Sequence, residues 1–421
     1  MLPVMISSMT VLMLIGIPVA IAIGLASLIG IGGFTSLPLV LFPQQAFVAL
    51  DKFPLAAIPF FILAGNLMAA GGISRRLVEL VESCVHSIRG GILLTCVFTA
   101  MIFGAVSGSS VATTLAIGSV LIPAMVRRGY PVGFAAALQA TAAELSVLIP
   151  PSIPMIVYGL SANVSVGDLF IAGVGPAVLV AVALGAFVLI YSRIKGFEEV
   201  RSEERPPLWP ALKASSFALL MPVIVLGGIY GGVFTPTEAS VVAVGYSLVV
   251  SVLIYREIDA RALLEVIKRS AISSAVVMFI VSMAGVFSFV LTRAGVPAMI
   301  GAWLVETFTS PVSFLLAVNV FLFFMGMFVE TSASIVVLGP LLAPVATQYG
   351  IDPTHFGIIM IFNLAMGMIT PPLGVNLFAA CAVANIGIEK MIPYLVPLVC
   401  LILACLATVT FVPAISLFLI Q

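Results

Sequence analysis

Two clusters of small hydroxyl residues interrupt a chain that is otherwise strongly apolar. One is Ser107-Gly108-Ser109-Ser110, the other Thr331-Ser332-Ala333-Ser334. Each precedes an apolar helical stretch, a turn, a second apolar stretch and a proline pair, Pro150-Pro151 or Pro371-Pro372. A proline pair breaks a helix and frees carbonyl oxygens in the turn before it. Carbonyls with Ser and Thr hydroxyls are hard oxygen ligands, suited to a small cation such as sodium. A helix that starts at each cluster aims free N–H groups and a positive dipole end at it, which attracts an anion. One cation set is then Ser107, Ser109 and Ser110 with the backbone at Ile149, before Pro150. The other is Thr331, Ser332 and Ser334 with Thr370 and the backbone before Pro371.

These regions are two copies of one pattern. Gly118 matches Gly339, Pro123 matches Pro344, Gly129 matches Gly350 and Pro150 matches Pro371, each 221 residues on (339 minus 118, and so for the others). In lipid, freed backbone groups must face protein or water. Paired interruptions in two halves of a chain point to a transport site. A single such cluster reads more simply as close helix packing through small residues. Its duplication at matched spacing favours the site.

Composition sets the class. Apolar residues make up 62% of the 421 and charged residues 8%, against about 25% charged in a soluble domain. The chain reads as an all-α polytopic membrane protein. Zero net charge gives no case for nucleic acid. The five cysteines, Cys84, Cys96, Cys381, Cys400 and Cys405, lack CxxC spacing and read as small core residues. Without a basic n-region, residues 1–30 read as mature membrane helix.

Several elements must position the clusters. The first repeat, 1–192, has helices at 2–16 and 18–34, a loop with some apolar re-entry at 35–53 and a span at 54–71. An interfacial amphipathic helix follows at 73–89, with Leu77, Val78, Leu80, Val81, Cys84 and Val85 as its apolar stripe. Then come a re-entrant hairpin at 91–126, a broken helix at 131–164 and a span at 166–192. A charged linker fills 193–213. The second repeat, 214–421, has spans at 214–232 and 236–255, an amphipathic piece at 256–269, a span at 270–291 and an arm at 293–310. Its hairpin is 312–346, its broken helix 354–386 and its last span 391–419.

Placing the linker in the cytoplasm puts fifteen of the seventeen Lys and Arg residues inside and only Lys52 and Arg293 outside. This threading sends the hairpins in from opposite sides, so the repeats are inverted, and both chain ends face the periplasm.

Most carboxylates read as caps: Glu238 in Thr235-Pro236-Thr237-Glu238, Asp168 after Ser165, and Asp352 before Pro353. Glu144 and Glu330 lie in uncharged segments, where a carboxylate is costly and usually functional. Each could ligate a cation, carry a proton or contact a polar substrate; the alternative is a carboxylate facing an aqueous vestibule. Trp209 and Trp303 read as interface anchors.

The run GSSVATTLAIGSVLIPAMVRRGYPVGFAAALQATAAELSVLIPPSIPMIVYG resembles the large membrane subunit of the tripartite ATP-independent periplasmic (TRAP) transporters, the DctM family. FPLAAIPFFILAGNLM from Phe53, GGVFTPTEASVVAV from Gly231 and TPPLGVNLF from Thr370 extend the resemblance over essentially the whole chain. It implies an elevator-type transporter of the bacterial inner membrane with sodium as coupling ion and no other cofactor. It also implies a small four-helix membrane subunit, expected as a separate chain, and a periplasmic binding protein that delivers an organic anion such as sialic acid, a dicarboxylate, a keto acid or a sugar acid. By the resemblance, sodium lies at Ser107, Gly108, Ser109 and Ser110 with Pro150, and at Thr331 and Ser332 with Thr370, Pro371 and Gly374. Substrate would touch Ser110, Pro151, Ser152, Glu330, Ser334, Pro372, Asn376 and Glu144. Hairpins and broken helices would move as one body against the remaining helices, with 73–89 and 293–310 as links. Two departures stand out: Glu330 where many relatives have Asp, and Glu144 in a stretch that is often small and neutral.

Three rivals belong beside this reading. A stand-alone ion-coupled carboxylate carrier would share the architecture. A channel sits poorly with hairpins of opposite direction. An intramembrane hydrolase would need motifs that are missing: there is no HExxH, Gly104-Ala105-Val106-Ser107-Gly108 lacks GxSG spacing, and Ser165-Val166-Gly167-Asp168 is not GxGD.

Overall fold

Helices account for nearly all regular structure in the computed structural model, which describes residues 1–35, 37–196 and 207–420. Among the described residues, nine helices are long and apolar enough to cross a membrane, or ten when one bent pair is counted.

The chain opens with α1 (Leu2–Leu14) and α2 (Val19–Phe34), which flank a turn at Gly16. The expected loop at 35–53 instead holds α3 (Leu41–Leu50), and a 3-10 turn at Phe53–Ala56 leads into α4 (Ala57–Ala70). Next come α5 (Ile73–Val85), the first hairpin of α6 (Gly91–Ser107) and α7 (Ser110–Arg127), and the broken helix. That helix comprises α8 (Val132–Ala143), α9 (Leu145–Leu148) and α10 (Ile153–Ala162), bent by 44°. α11 (Val166–Lys195) closes the first repeat.

The second repeat begins with α12 (Leu208–Tyr230), so the expected linker is partly helical, while its residues 197–206 lie outside the described residues. α13 (Pro236–Leu248) runs into a π-turn at Val249–Ile254. The amphipathic piece and span expected at 256–269 and 270–291 are one helix, α14 (Ala260–Arg293). Nothing between them breaks a helix, and the Glu265–Arg269 pair at 2.9 Å bridges one turn. Its 34 residues reach about 51 Å at 1.5 Å per residue, so its charged start projects beyond a hydrocarbon core of about 30 Å. Gly295, with φ +69°, separates it from the short arm α15 (Val296–Thr307). The second hairpin is α16 (Pro311–Phe328) with α17 (Thr331–Gln348), and the second broken helix is α18 (Pro353–Gly367) with α19 (Val375–Ala384). α20 (Ile392–Phe411) stops before Pro413, and a single turn, α21 (Ala414–Leu417), follows.

Each repeat carries a hairpin and a broken helix, and their backbones agree in detail. Gly129 and Gly350 turn with φ +88° and +75°. Asn163 and Asn385 end α10 and α19 in the left-handed region, at φ 56° and 53°. Both Pro-Pro bonds are cis.

Packing divides the helices into two groups. α7 lies on α8 and α19, α16 on α18, and α10 on α17; α11 and α20 join them through α6, α8 and α18. α1 to α4 gather with α12 to α14, and α14 alone of these also packs broadly on the second hairpin. α11 and α20 thus pack together with the hairpins and broken helices.

α5 ends at Val85 rather than Arg89. Leu77, Val78, Leu80 and Val81 are buried as expected, but Cys84 is exposed and Ser83 takes the buried position. Arg76 holds this helix to the second repeat, 2.6 Å from Glu257 and with its guanidinium 3.8 Å from the Tyr255 ring centre. Glu82 pairs with Arg128 beyond the end of α7. Cys96 and Cys405 are core residues, whereas Cys400, like Cys84, is exposed. Trp209 and Trp303 stay exposed on the surface.

Candidate functional site

At the first hairpin tip, Ser107 ends α6, Gly108 turns with φ +61°, and Ser109 caps α7 by accepting from Ala112 N at 3.4 Å. Glycine is required here. A Cβ on Gly108 would meet the Pro151 carbonyl at 2.5 Å, in a conformation that L side chains avoid. The Gly108 carbonyl accepts from Ile153 N at 3.5 Å, which ties the tip to the first helix break. The Ser107 and Thr113 hydroxyls lie 2.9 Å apart, and Thr113 also donates to the Ser109 carbonyl at 2.9 Å.

The second tip repeats the logic with other residues. Glu330 caps α17, accepting from Ala333 N at 3.0 Å through Oε2 and from the Ser332 hydroxyl at 3.0 Å through Oε1. The Thr331 hydroxyl lies 3.0 Å from Met368 Sδ. Gly374 N donates to the Met327 carbonyl at 3.4 Å, so this hairpin is also tied to the break of its own repeat. The donors of the two ties, Ile153 and Gly374, stand 221 residues apart (374 minus 153), in register with the sequence repeat.

The tips meet. A cavity of about 180 Å³ is lined by Ser107, Gly108, Ser109 and Ser110 from one and by Glu330, Thr331 and Ser332 from the other. Val147, Ile153 and Met368 close its sides, and α4 and α14 complete the wall with Gly65, Asn66 and Ser273. Hydroxyls, a carboxylate and an amide thus face one space bounded by two helix N-termini, an arrangement able to hold a cation beside an anion.

Other sequence candidates lie elsewhere. Ile149, Pro150 and Pro151 stand behind the first tip, and Ser152 is buried with its hydroxyl donating to the Val147 carbonyl at 2.7 Å. Thr370 donates to the Met366 carbonyl at 2.9 Å, and Met368 accepts from Asn376 N at 3.1 Å, so carbonyls freed by the second break are partly reclaimed by the protein. Thr370, Pro371, Pro372 and Gly374 do not line the cavity, and Pro372 is exposed. The Ser334 hydroxyl is buried with no hydrogen-bond partner among the described residues. Glu144 and Asn376 pair with each other: the Asn376 amide donates to Glu144 Oε1 at 2.7 Å and to the Ala140 carbonyl at 3.0 Å, while Thr114 donates to Asn376 Oδ1 at 2.6 Å. Ser110 lies beside this carboxylate, linking the buried cluster to the cavity wall.

Sequence reasoning missed Asn66, Ser273, Thr113 and Thr114. A signal existed for Asn66, the single amide in the run 54–71; Ser273 sits in an apolar helix with nothing local to distinguish it.

The fold has solved counterparts. The YdaH transporter of Alcanivorax borkumensis superimposes with a TM-score of 0.68 at 16% identity, covering 90% of this chain and 89% of its own. The two share an all-helical, multi-pass membrane fold of two inverted repeats with re-entrant hairpins. Sequence carries the assignment further. The chain belongs to the DctM component family of the tripartite ATP-independent periplasmic transporters, whose model matches residues 6–415; the family is of transport permeases, not enzymes. The isethionate TRAP transporter permease protein DctMQ of Oleidesulfovibrio alaskensis is 44% identical over 99% of this chain, which spans 66% of that relative's length. The C4-dicarboxylate TRAP transporter large permease protein DctM of Rhodobacter capsulatus is 38% identical over 96% of both chains.

Proposed function

We propose that this chain is the large membrane subunit of a sodium-driven importer of small organic anions in a bacterial inner membrane. The observation that carries the reading is the single cavity shared by the two hairpin tips, with Ser107, Ser109 and Ser110 facing Glu330, Thr331 and Ser332. Sodium ions held by these oxygens offset the carboxylate and order both tips, and the helix N-termini then favour an anionic solute. A periplasmic binding protein delivers the solute, and a small four-helix subunit braces α1 to α4 and α12 to α14. The hairpins, the broken helices, α11 and α20 cross the membrane as one body, with the linker expected at 193–213 on the cytoplasmic side. Relatives named for isethionate and for C4-dicarboxylates support a compact carboxylate or sulfonate as the solute.

Uptake into proteoliposomes holding this chain and its small subunit tests the proposal, with sodium or potassium outside and with or without the binding protein. Uptake that needs both sodium and the binding protein is expected. Uptake without sodium sinks the cation sites, and sodium-driven uptake without the binding protein favours a stand-alone carrier.

A further inference from the structure

A second cavity, of about 220 Å³, lies directly beyond the first. Three helices, α10, α14 and α17, line both. Along α10 the lining moves from Ile153 and Pro154 to Val157, Leu160 and Ser161; along α17 from Thr331 and Ser332 to Val336 and Pro340; along α14 from Ser273 and Val277 to Val281, Gly285 and Ser288. The nearest steps are four residues from Ser332 to Val336 and from Val277 to Val281, about 6 Å, and three from Pro154 to Val157, about 4.5 Å. All three shifts run in the same direction, toward the end of the molecule that the charge distribution places in the periplasm. Stacked in this way, the second cavity lies on the line between the outside and the tips.

Its polar wall differs from that of the first. Gln45, Ser161 and Ser288 supply neutral polar groups, and Lys52 supplies the charge. No carboxylate lines it among the described residues, and Asp51, next to Lys52 in the chain, stands outside its walls. The Lys52 ammonium donates to the Leu160 carbonyl at 3.3 Å. Leu160 lies in the last turn of α10, whose carbonyls are the negative end of that helix. This contact joins the α3–α4 connection of one helix group to the broken helix of the other. Lys52 and Arg293 are the two basic residues on that side of the chain, so an anion arriving there meets few alternatives.

We propose that the second cavity is a reception site for the organic anion, in which Lys52 takes the carboxylate or sulfonate of the solute before it passes to the tips. The inference rests on the importer reading and on its orientation. In the absence of solute the ammonium is held by Leu160. An arriving anion offers a full negative charge in place of a carbonyl dipole, so Lys52 leaves Leu160 and the contact between the two helix groups opens.

The test uses the complete transporter in proteoliposomes, with labelled succinate and labelled isethionate as probes. Lys52→Gln is expected to raise KM about fivefold, the equivalent of one partly exposed ion pair, with kcat within about twofold, while Lys52→Arg stays near wild type. Lys52→Cys adds a readout independent of folding. A positively charged methanethiosulfonate reagent added outside is expected to restore KM, a negatively charged one to leave it raised, and saturating probe anion to slow modification. An unchanged KM in Lys52→Gln, or modification indifferent to the probe anion and to reagent charge, overturns the reception site alone. Wild-type protein that takes up neither probe with sodium overturns the importer reading for these solutes and the reception site with it.

Discussion

The Asn376 amide reaches Glu144 Oε1 at 2.7 Å across 232 residues of sequence. One partner follows the second helix break and the other precedes the first, so this bond joins the two repeats inside the packed body. Asn376 also holds Ala140 and Thr114, and the cluster is closed to solvent. Replacing Glu144 by Ala leaves one buried N–H of the Asn376 amide without its acceptor and costs about 1–3 kcal/mol. Glu144→Gln keeps an acceptor and costs less. Thermal melts of the purified complex separate the two; equal losses would show that the carboxyl position carries no specific bond.

Asn376→Asp sets two carboxyl groups against each other at this point. Both cannot ionise at such a separation. The variant is expected to lose about 2 kcal/mol or more at pH 8 and to recover part of it as pH falls and one proton is shared. A melt series from pH 5 to pH 8 measures this, and a loss independent of pH would place the two side chains apart.

Gly108→Ala tests the first tip. The new methyl meets the Pro151 carbonyl, and the backbone there adopts a conformation that costs an L residue roughly 1–2 kcal/mol. Uptake should fall at least about tenfold, the rate equivalent of that penalty, while assembly with the small subunit persists on size exclusion. Wild-type uptake by this variant would mean that the tip relaxes freely.

Thr331→Val keeps shape and removes an oxygen from the shared cavity. If that oxygen serves a sodium ion, the sodium concentration for half-maximal uptake rises about tenfold, the worth of one charge-assisted contact. An unchanged sodium curve would remove Thr331 from the ion site.

Arg76 makes an ion pair with Glu257 and stacks on Tyr255. Lysine cannot reproduce the planar stack. Arg76→Lys should cost about 1 kcal/mol, and a double-mutant cycle with Glu257→Gln should show coupling of similar size. Zero coupling would mean that α5 is held by its buried leucines and valines alone.

Much of this architecture was legible because its punctuation is local. Serine, glycine and proline interrupt apolar runs, so the hairpin tips and breaks fall where the sequence put them. The caps at Thr235 and Asp352 form as read, whereas at Ser165 the hydroxyl accepts from Asp168 N but the Asp168 carboxylate closes no capping box. Legibility failed where a local signal misled or none existed. Lys268 and Arg269 suggested a boundary, but charge does not break a helix, and α14 runs through them. Thr370 shares its short segment with the second break, yet its hydroxyl turns back to Met366. The meeting of Glu144 with Asn376, and of Asn66 with the first tip, depends on tertiary packing that no spacing records.

The Glu144–Asn376 bond has no counterpart by repeat symmetry. The second repeat places Ala365 and Met366 where the first has Glu144, and the first places Pro154 and Met155 where the second has Asn376. Two identical inverted halves would have no sense of direction, because turning such a molecule over would return the same molecule. Whatever distinguishes inward from outward must reside in positions where the copies have diverged since duplication. This buried pair is one of them, and it marks the molecule with an arrow.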